Sequence, residues 1–157
     1  MTRPRKKYRP KPILTNPVGY VLEGMAPITG YGEYLVDLQI KHHRAVALLV
    51  RGEATRSEMD ILINAANVAD ALVRLGFGGE YGDVLKAGQS ALYEVASRGA
   101  GSGRFILRGE EMVAINALID LHDAQLGVLT VKDVDRAVAL VERERRADRM
   151  KRIKGAT

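Results

Sequence analysis

Leu35, Leu38, His42, Ala45 and Leu49 recur at alternating steps of three and four residues, which aligns them in one stripe on a helix of 3.6-residue period. The pattern predicts a first helix over residues 33–51, stopped by Gly52. A second helix is predicted over residues 55–75. Thr55 with Glu58 three positions later reads as a capping box at its start. Its apolar positions (Met59, Ile61, Leu62, Ile63, Ala65, Ala66, Val68, Ala69, Leu72, Val73, Leu75) reach so far around the circumference that a central helix, buried on several sides, is expected. Gly76 ends it, and Gly78 and Gly79 keep the turn open. A third helix, over residues 80–97, carries the stripe Tyr81, Val84, Leu85, Gly88, Ala91, Leu92 and Val95. Gly88 on that stripe implies close approach of a neighbouring helix, at a propensity cost of about 1 kcal/mol against alanine.

Residues 98–104 (RGAGSGR) read as a flexible loop, and residues 105–107 as a short strand or a packed segment. A fourth helix is predicted over residues 110–126, with Glu110 and Glu111 placed to complement its N-terminal dipole. Thr130, with Asp133 three positions on, caps a fifth helix expected to bury Val131, Val134, Val138 and Val141. From Glu142 onward the pattern is charged on all sides, so the helix end is expected to project into solvent or fray. Before all of these, Pro4, Pro10, Pro12 and Pro17 predict an extended arm over residues 1–17. Residues 18–30 are apolar enough to pack on the body, with Gly24, Pro27 and Gly30 limiting any helix to a turn. The expected architecture is all-α. It is a compact bundle of about five helices over residues 18–141, with the basic arm before it and a basic C-terminal extension over residues 142–157.

Composition narrows this further. With 157 residues the chain suits one domain, and 46% hydrophobic residues suit a packed core. Six Tyr, two Phe and no Trp make that core aliphatic. The absence of cysteine excludes disulfides, thiolate nucleophiles and cysteine-bound metals, and fits a cytoplasmic location. The basic N-terminus is followed by no apolar run of a secretory signal, and no stretch approaches the roughly 18 apolar residues of a membrane span. The net charge of +5 is unevenly distributed: +6 in residues 1–12, −5 in residues 13–141 and +4 in residues 142–157. Such segregation speaks of partners rather than fold.

Catalytic and cofactor signals are weak. GAGSGRF at 99–105 lacks the Lys-Ser/Thr of a phosphate-binding P-loop and follows a helix, and GFGGEYG at 76–82 has Tyr81 where a dinucleotide fingerprint needs its third glycine. His42 and His43 are adjacent and point about 100° apart on a helix. His122–Asp123, near Asp120, superficially resembles the His-Asp pair of metal-dependent phosphohydrolases, which implies a further His upstream and an Asp downstream. His42 or His43, and Asp133 or Asp135, would have to serve, and spacing does not recommend them. No cofactor, metal or small-molecule substrate is read from the chain. The fourth and fifth helices have the outline of a helix-turn-helix, but Asp123 and Asp133 fall where buried residues belong, so a plain helical hairpin is expected.

The terminal charge is the strongest functional signal. RPRKKYRPKP combines six cations (Arg3, Arg5, Lys6, Lys7, Arg9, Lys11) with prolines that keep the backbone extended, and such a segment can follow a line of phosphates. Arg145, Arg146, Arg149 and Arg152 on the fifth helix form a second basic patch. The competing reading there is a solvated helix end with Glu142 and Glu144 paired within the helix. The build resembles small accessory proteins of phages and other mobile elements, which implies a regulatory or accessory role. The expectation is therefore a non-enzymatic protein that contacts DNA or RNA through its termini. The alternative is a protein-interaction module, such as a homo-oligomer, inhibitor or adaptor, whose arm wraps a neighbouring subunit or another acidic partner.

Overall fold

The computed structural model describes residues 32–155, together with Met25, Pro27 and Gly30, and side chains as far as residue 148. The arm expected over residues 1–17 lies outside the described residues. Five helices are present among the described residues: α1 (Gly32–Val50), α2 (Arg56–Arg74), α3 (Gly82–Gly99), α4 (Gly109–Leu126) and α5 (Val131–Gly155). A 3-10 turn at Gly79–Tyr81 leads into α3, and no strand is formed among the described residues. The segment 105–107, open between strand and packed coil in the sequence, is coil with Phe105 buried.

Two glycines set how α1, α2 and α3 follow one another. Gly52 takes φ +71, and its amide donates to the Leu49 carbonyl while Glu53 donates to Leu48. Gly76 takes φ +102 and repeats the arrangement, with its own amide on Val73 and that of Phe77 on Leu72. Both are Schellman closures, which turn the chain and satisfy the last helical carbonyls. Helix starts are equally specified. Thr55 N donates to Glu58 Oε2 at 2.7 Å while Ser57 N donates to Thr55 Oγ1, and Thr130 N donates to Asp133 Oδ2 at 3.0 Å. At α4 the Arg108 amide donates to Glu111 Oε2 at 2.9 Å.

Helix α2 touches all four other helices. Its Met59, Leu62, Ala65, Ala66 and Ala69 join Leu49, Leu85, Leu92, Val95, Ile115 and Leu118 in the main core. Its Ala71 and Leu72 join Leu35, Leu126, Leu129, Ala137 and Val141 in a second core at the other end. Each fully buried leucine contributes roughly 1.5–3 kcal/mol. The tightest helix pair is α3 with α4, and Gly88 explains it. A Cβ there would lie 2.5 Å from the Leu118 Cβ, closer than two methyl carbons can stand. Tyr81, placed on the α3 stripe by its spacing, is half exposed instead, because the 3-10 turn rotates it off the helix face.

Three expectations about the C-terminal half are corrected. First, α4 and α5 do not form a hairpin: α5 lies along α2 rather than against α4. Secondly, Val138 is exposed, and the buried stripe of α5 is Ala137 and Val141, flanked by half-buried Val134 and Leu140. Thirdly, α5 does not fray at residue 142: it continues as helix, and although residues 143–148 are exposed, it keeps contact with α2. Glu144 continues the stripe one step past Val141, and Arg74 of α2 meets it with two hydrogen bonds of 2.5 and 3.1 Å. Arg74 also pairs with Asp70 at 2.8 Å, and Arg145 donates to the Asn64 side chain. An apolar seam is thus prolonged by a polar one.

The Gly88 contact yields a direct test. Gly88→Ala improves helix propensity by about 1 kcal/mol but overpacks α3 on α4, which typically costs 1–3 kcal/mol or more where backbones must part. A net loss of stability is expected in urea denaturation, whereas the same substitution at exposed Gly109, with open space around it, should leave the fold intact.

Candidate functional site

Two groups of arginines on the described surface bear on phosphate contact, and the first is at the α3–α4 connection. Gly99 ends α3 with Phe105 packed so closely that a Cβ would stand 2.3 Å from its ring. The Gly103 amide donates to the Gly99 carbonyl at 2.8 Å, and the Arg104 amide to Ser102 Oγ at 3.2 Å. The stretch RGAGSGR is therefore closed on itself, and Arg98, Ser102, Arg104, Ile106 and Arg108 line one open groove. Arg98 is committed internally. It grips the Glu111 carboxylate with two 2.6 Å bonds, donates to the Ile106 carbonyl at 3.0 Å, and holds the Glu111 carboxyl below its ordinary range. Arg104 and Arg108 are exposed and form no ion pair among the described residues. Sequence reading passed over these two arginines. The six-residue spacing of Arg98 and Arg104 across a glycine-rich turn was the available signal.

The second group is on α5. Arg145 is engaged by Asn64 and, at 3.6 Å, by Glu142, while Arg143 and Arg146 are exposed without a carboxylate partner among the described residues. The intrahelical pairing expected for Glu142 is present, but Glu144 is drawn to α2, and Arg74 holds its carboxyl below the usual range. Of the remaining cations expected to bind phosphate, Arg3, Arg5, Lys6, Lys7, Arg9, Lys11 and the side chains of Arg149 and Arg152 lie outside the described residues.

A third cluster lies inside the protein, where α1 meets α4. His42 and His122, 80 positions apart, are 5% and 2% exposed, with ring centroids 5.4 Å apart. The spacing of the sequence did not recommend this pairing. The signal was that His42 belongs to the apolar stripe of α1. Gln125 fixes the proton positions. Its Nε2 donates to the Ala69 and Phe77 carbonyls at 3.1 and 3.0 Å, which turns Oε1 towards His122. The 3.2 Å contact must then have His122 Nδ1 as donor. On the rim of the junction, His43 Nε2 donates to Asp123 Oδ2 at 2.6 Å. His42 Nδ1 and Asp123 Oδ1 are buried without a partner.

This cluster gathers the residues of the His-Asp resemblance, but not in the form that chemistry needs. No three of its donors, nor any others among the described residues, converge as ligands of one metal ion. Burial, reinforced by the neighbouring His122, pushes His42 down to about 4, and burial also lowers His122. Neutral rings deep in a helix junction serve packing and helix registration. Asp133 caps α5 through Thr130, which is a structural task.

No protein-family model matches this chain. No curated protein and no solved structure matches it either. The functional reading therefore rests on the chain's own chemistry.

The histidine junction predicts acid sensitivity. With its folded value near 4 and an unfolded value near 6.5, His42 takes up its proton more readily in the unfolded chain. Its stabilising contribution is complete above pH 6.5 and is lost as pH falls towards 4, amounting to about 2 kcal/mol between pH 7.5 and 5. Urea titrations at those two pH values should record that loss for the native chain and a smaller one for His42→Leu. An equal loss in both would remove His42 as the cause.

Proposed function

We propose that the protein is a non-enzymatic nucleic-acid-associated protein, an accessory or regulatory factor that contacts phosphates with cations displayed around a helical body. The observation that carries this reading is the segregation of charge: +6 in the first twelve residues and +4 in the last sixteen, around a body of −5. A net-negative body discourages indiscriminate collapse onto a polyanion and leaves contact to the extensions. Exposed Arg143 and Arg146 on α5 support it, as do Arg104 and Arg108 in the open α3–α4 groove, with exposed Ile106 at its edge. Phosphate contacts of this kind give affinity and orientation without reading sequence. The contacts assigned are Arg3, Arg5, Lys6, Lys7, Arg9 and Lys11, with Arg145, Arg146, Arg149 and Arg152 secondary.

The reading is tested by fluorescence anisotropy with labelled duplex DNA and RNA over a series of salt concentrations. Each phosphate neutralised contributes a slope of about −0.9 in log K against log salt on duplex DNA. Deleting residues 1–12 should flatten the slope and weaken binding similarly for all sequences, and Arg104→Ala with Arg108→Ala should reduce it by about one to two. Absence of binding at low salt, or a slope indifferent to these changes, would remove the proposal. A second reading, a protein-interaction module, has its own support in an exposed apolar stripe on α1.

A further inference from the structure

Helix α1 carries two apolar stripes. Leu35, Leu38, His42, Ala45 and Leu49 face the core. Val36, Ile40, Ala47 and Val50, with His43 among them, lie roughly 140° away around the helix. The second set repeats at steps of four, three, four and three, the spacing of a two-helix seam. Val36, Ile40 and Val50 are 51%, 57% and 48% exposed. A solvated helix face has no need of such regularity, and surface helices ordinarily present charged residues there.

Charge beside the stripe says what fits it. Exposed Glu33 and Asp37 occupy the first half of α1, whereas exposed Lys41, Arg44 and Arg51 occupy the end of the helix and the residue after it. None of the five forms an ion pair among the described residues. A parallel copy of α1 would set Asp37 against Asp37 and Arg44 against Arg44. An antiparallel copy layers Val36 on Ala47 and Ile40 on His43. That same register brings Asp37 alongside Arg44 and Glu33 alongside Arg51, in both directions by symmetry. His43, held at the rim by Asp123, remains half exposed.

We infer that the α1 stripe is a self-association surface, on which a second copy of this chain docks with its α1 antiparallel across a twofold axis between Lys41 and His42. The inference does not depend on nucleic-acid binding. An isologous contact of this kind is self-complementary: the same residues serve on both sides. A single pair of helices is small for a stable interface, so the association is concentration-dependent.

Sedimentation equilibrium of the full chain, without nucleic acid, tests it. A mass rising from 17.2 kDa towards twice that value is expected as protein concentration increases to about 1 mM, the range a small interface requires. Ile40→Lys, at an exposed position, should raise the dissociation constant at least tenfold while circular dichroism and thermal unfolding stay unchanged. Asp37→Arg alone should weaken association, and adding Arg44→Asp in the same chain should restore it, since each copy then offers the reversed pair. A monomer throughout the range overturns the inference. So does a dimer indifferent to Ile40→Lys, or a double reversal that fails to recover association.

Discussion

A helix whose apolar residues run most of the way round needs several neighbours to bury them, and α2 is such a helix, with polar Asp60, Asn64 and Arg74 left on its exposed side. Met59, Leu62, Ala65, Ala66, Ala69, Ala71 and Leu72 are all buried, and they point in directions that no single neighbour could cover. Burial therefore requires the chain to surround α2, and every other helix touches it. Its alanines let neighbours come near without large side chains between them. The two Schellman glycines and the capping boxes then decide the direction in which each segment leaves and returns. Stability comes from the aliphatic filling, whereas the exposed Arg74–Glu144 pair between α2 and α5 is screened by solvent and serves mainly to orient the helix end.

Within that shell the buried polar residues fix registration. Gln125 binds the carbonyls of Ala69 and Phe77 and accepts from His122, tying α4 to the end of α2 and to the turn that follows. A helix sliding by one residue would strand three buried polar groups, a penalty of about 1–3 kcal/mol each. Aliphatic packing tolerates such slips far better. The neutral state of His42 and His122 is the electrostatic consequence of this arrangement, and it links the junction to pH.

Local rules made much of this legible. Period-3.6 stripes located four of the five helices to within two or three residues, because their buried faces coincide with their apolar residues. Thr55–Glu58 and Thr130–Asp133 cap as their spacing says, since a capping box depends only on three intervening bonds. The burial of α2 on several sides and the crowding at Gly88 were legible for the same reason: each is a property of one helix face. The misreadings concern contacts between distant segments. Nothing within α5 says that Glu144 faces Arg74, 70 positions earlier, so the contact that the exposed charged stretch makes with α2 was not foreseen. The pairing of His42 with His122 and the groove that sets Arg104 beside Arg108 are likewise products of the closed fold. The basic patch on α5 was visible as composition, but which cations face outward depends on α2.

Glu111 of the body is engaged by the body's own Arg98, whereas Glu144 of the C-terminal extension is engaged by Arg74 of α2. The acidic and basic halves of α1 are unengaged among the described residues, yet they are balanced against each other along one helix. A locally balanced, alternating surface favours a partner with the reversed order, and an antiparallel copy supplies it. On the function proposed above, the locally unbalanced extension would meet a polyanion, whose phosphates in series match six cations in twelve residues. Two kinds of charge pattern on one small chain thus point to two kinds of contact. A twofold pairing through α1 would double the number of basic extensions presented to a single nucleic acid, raising avidity without any new phosphate contact per chain.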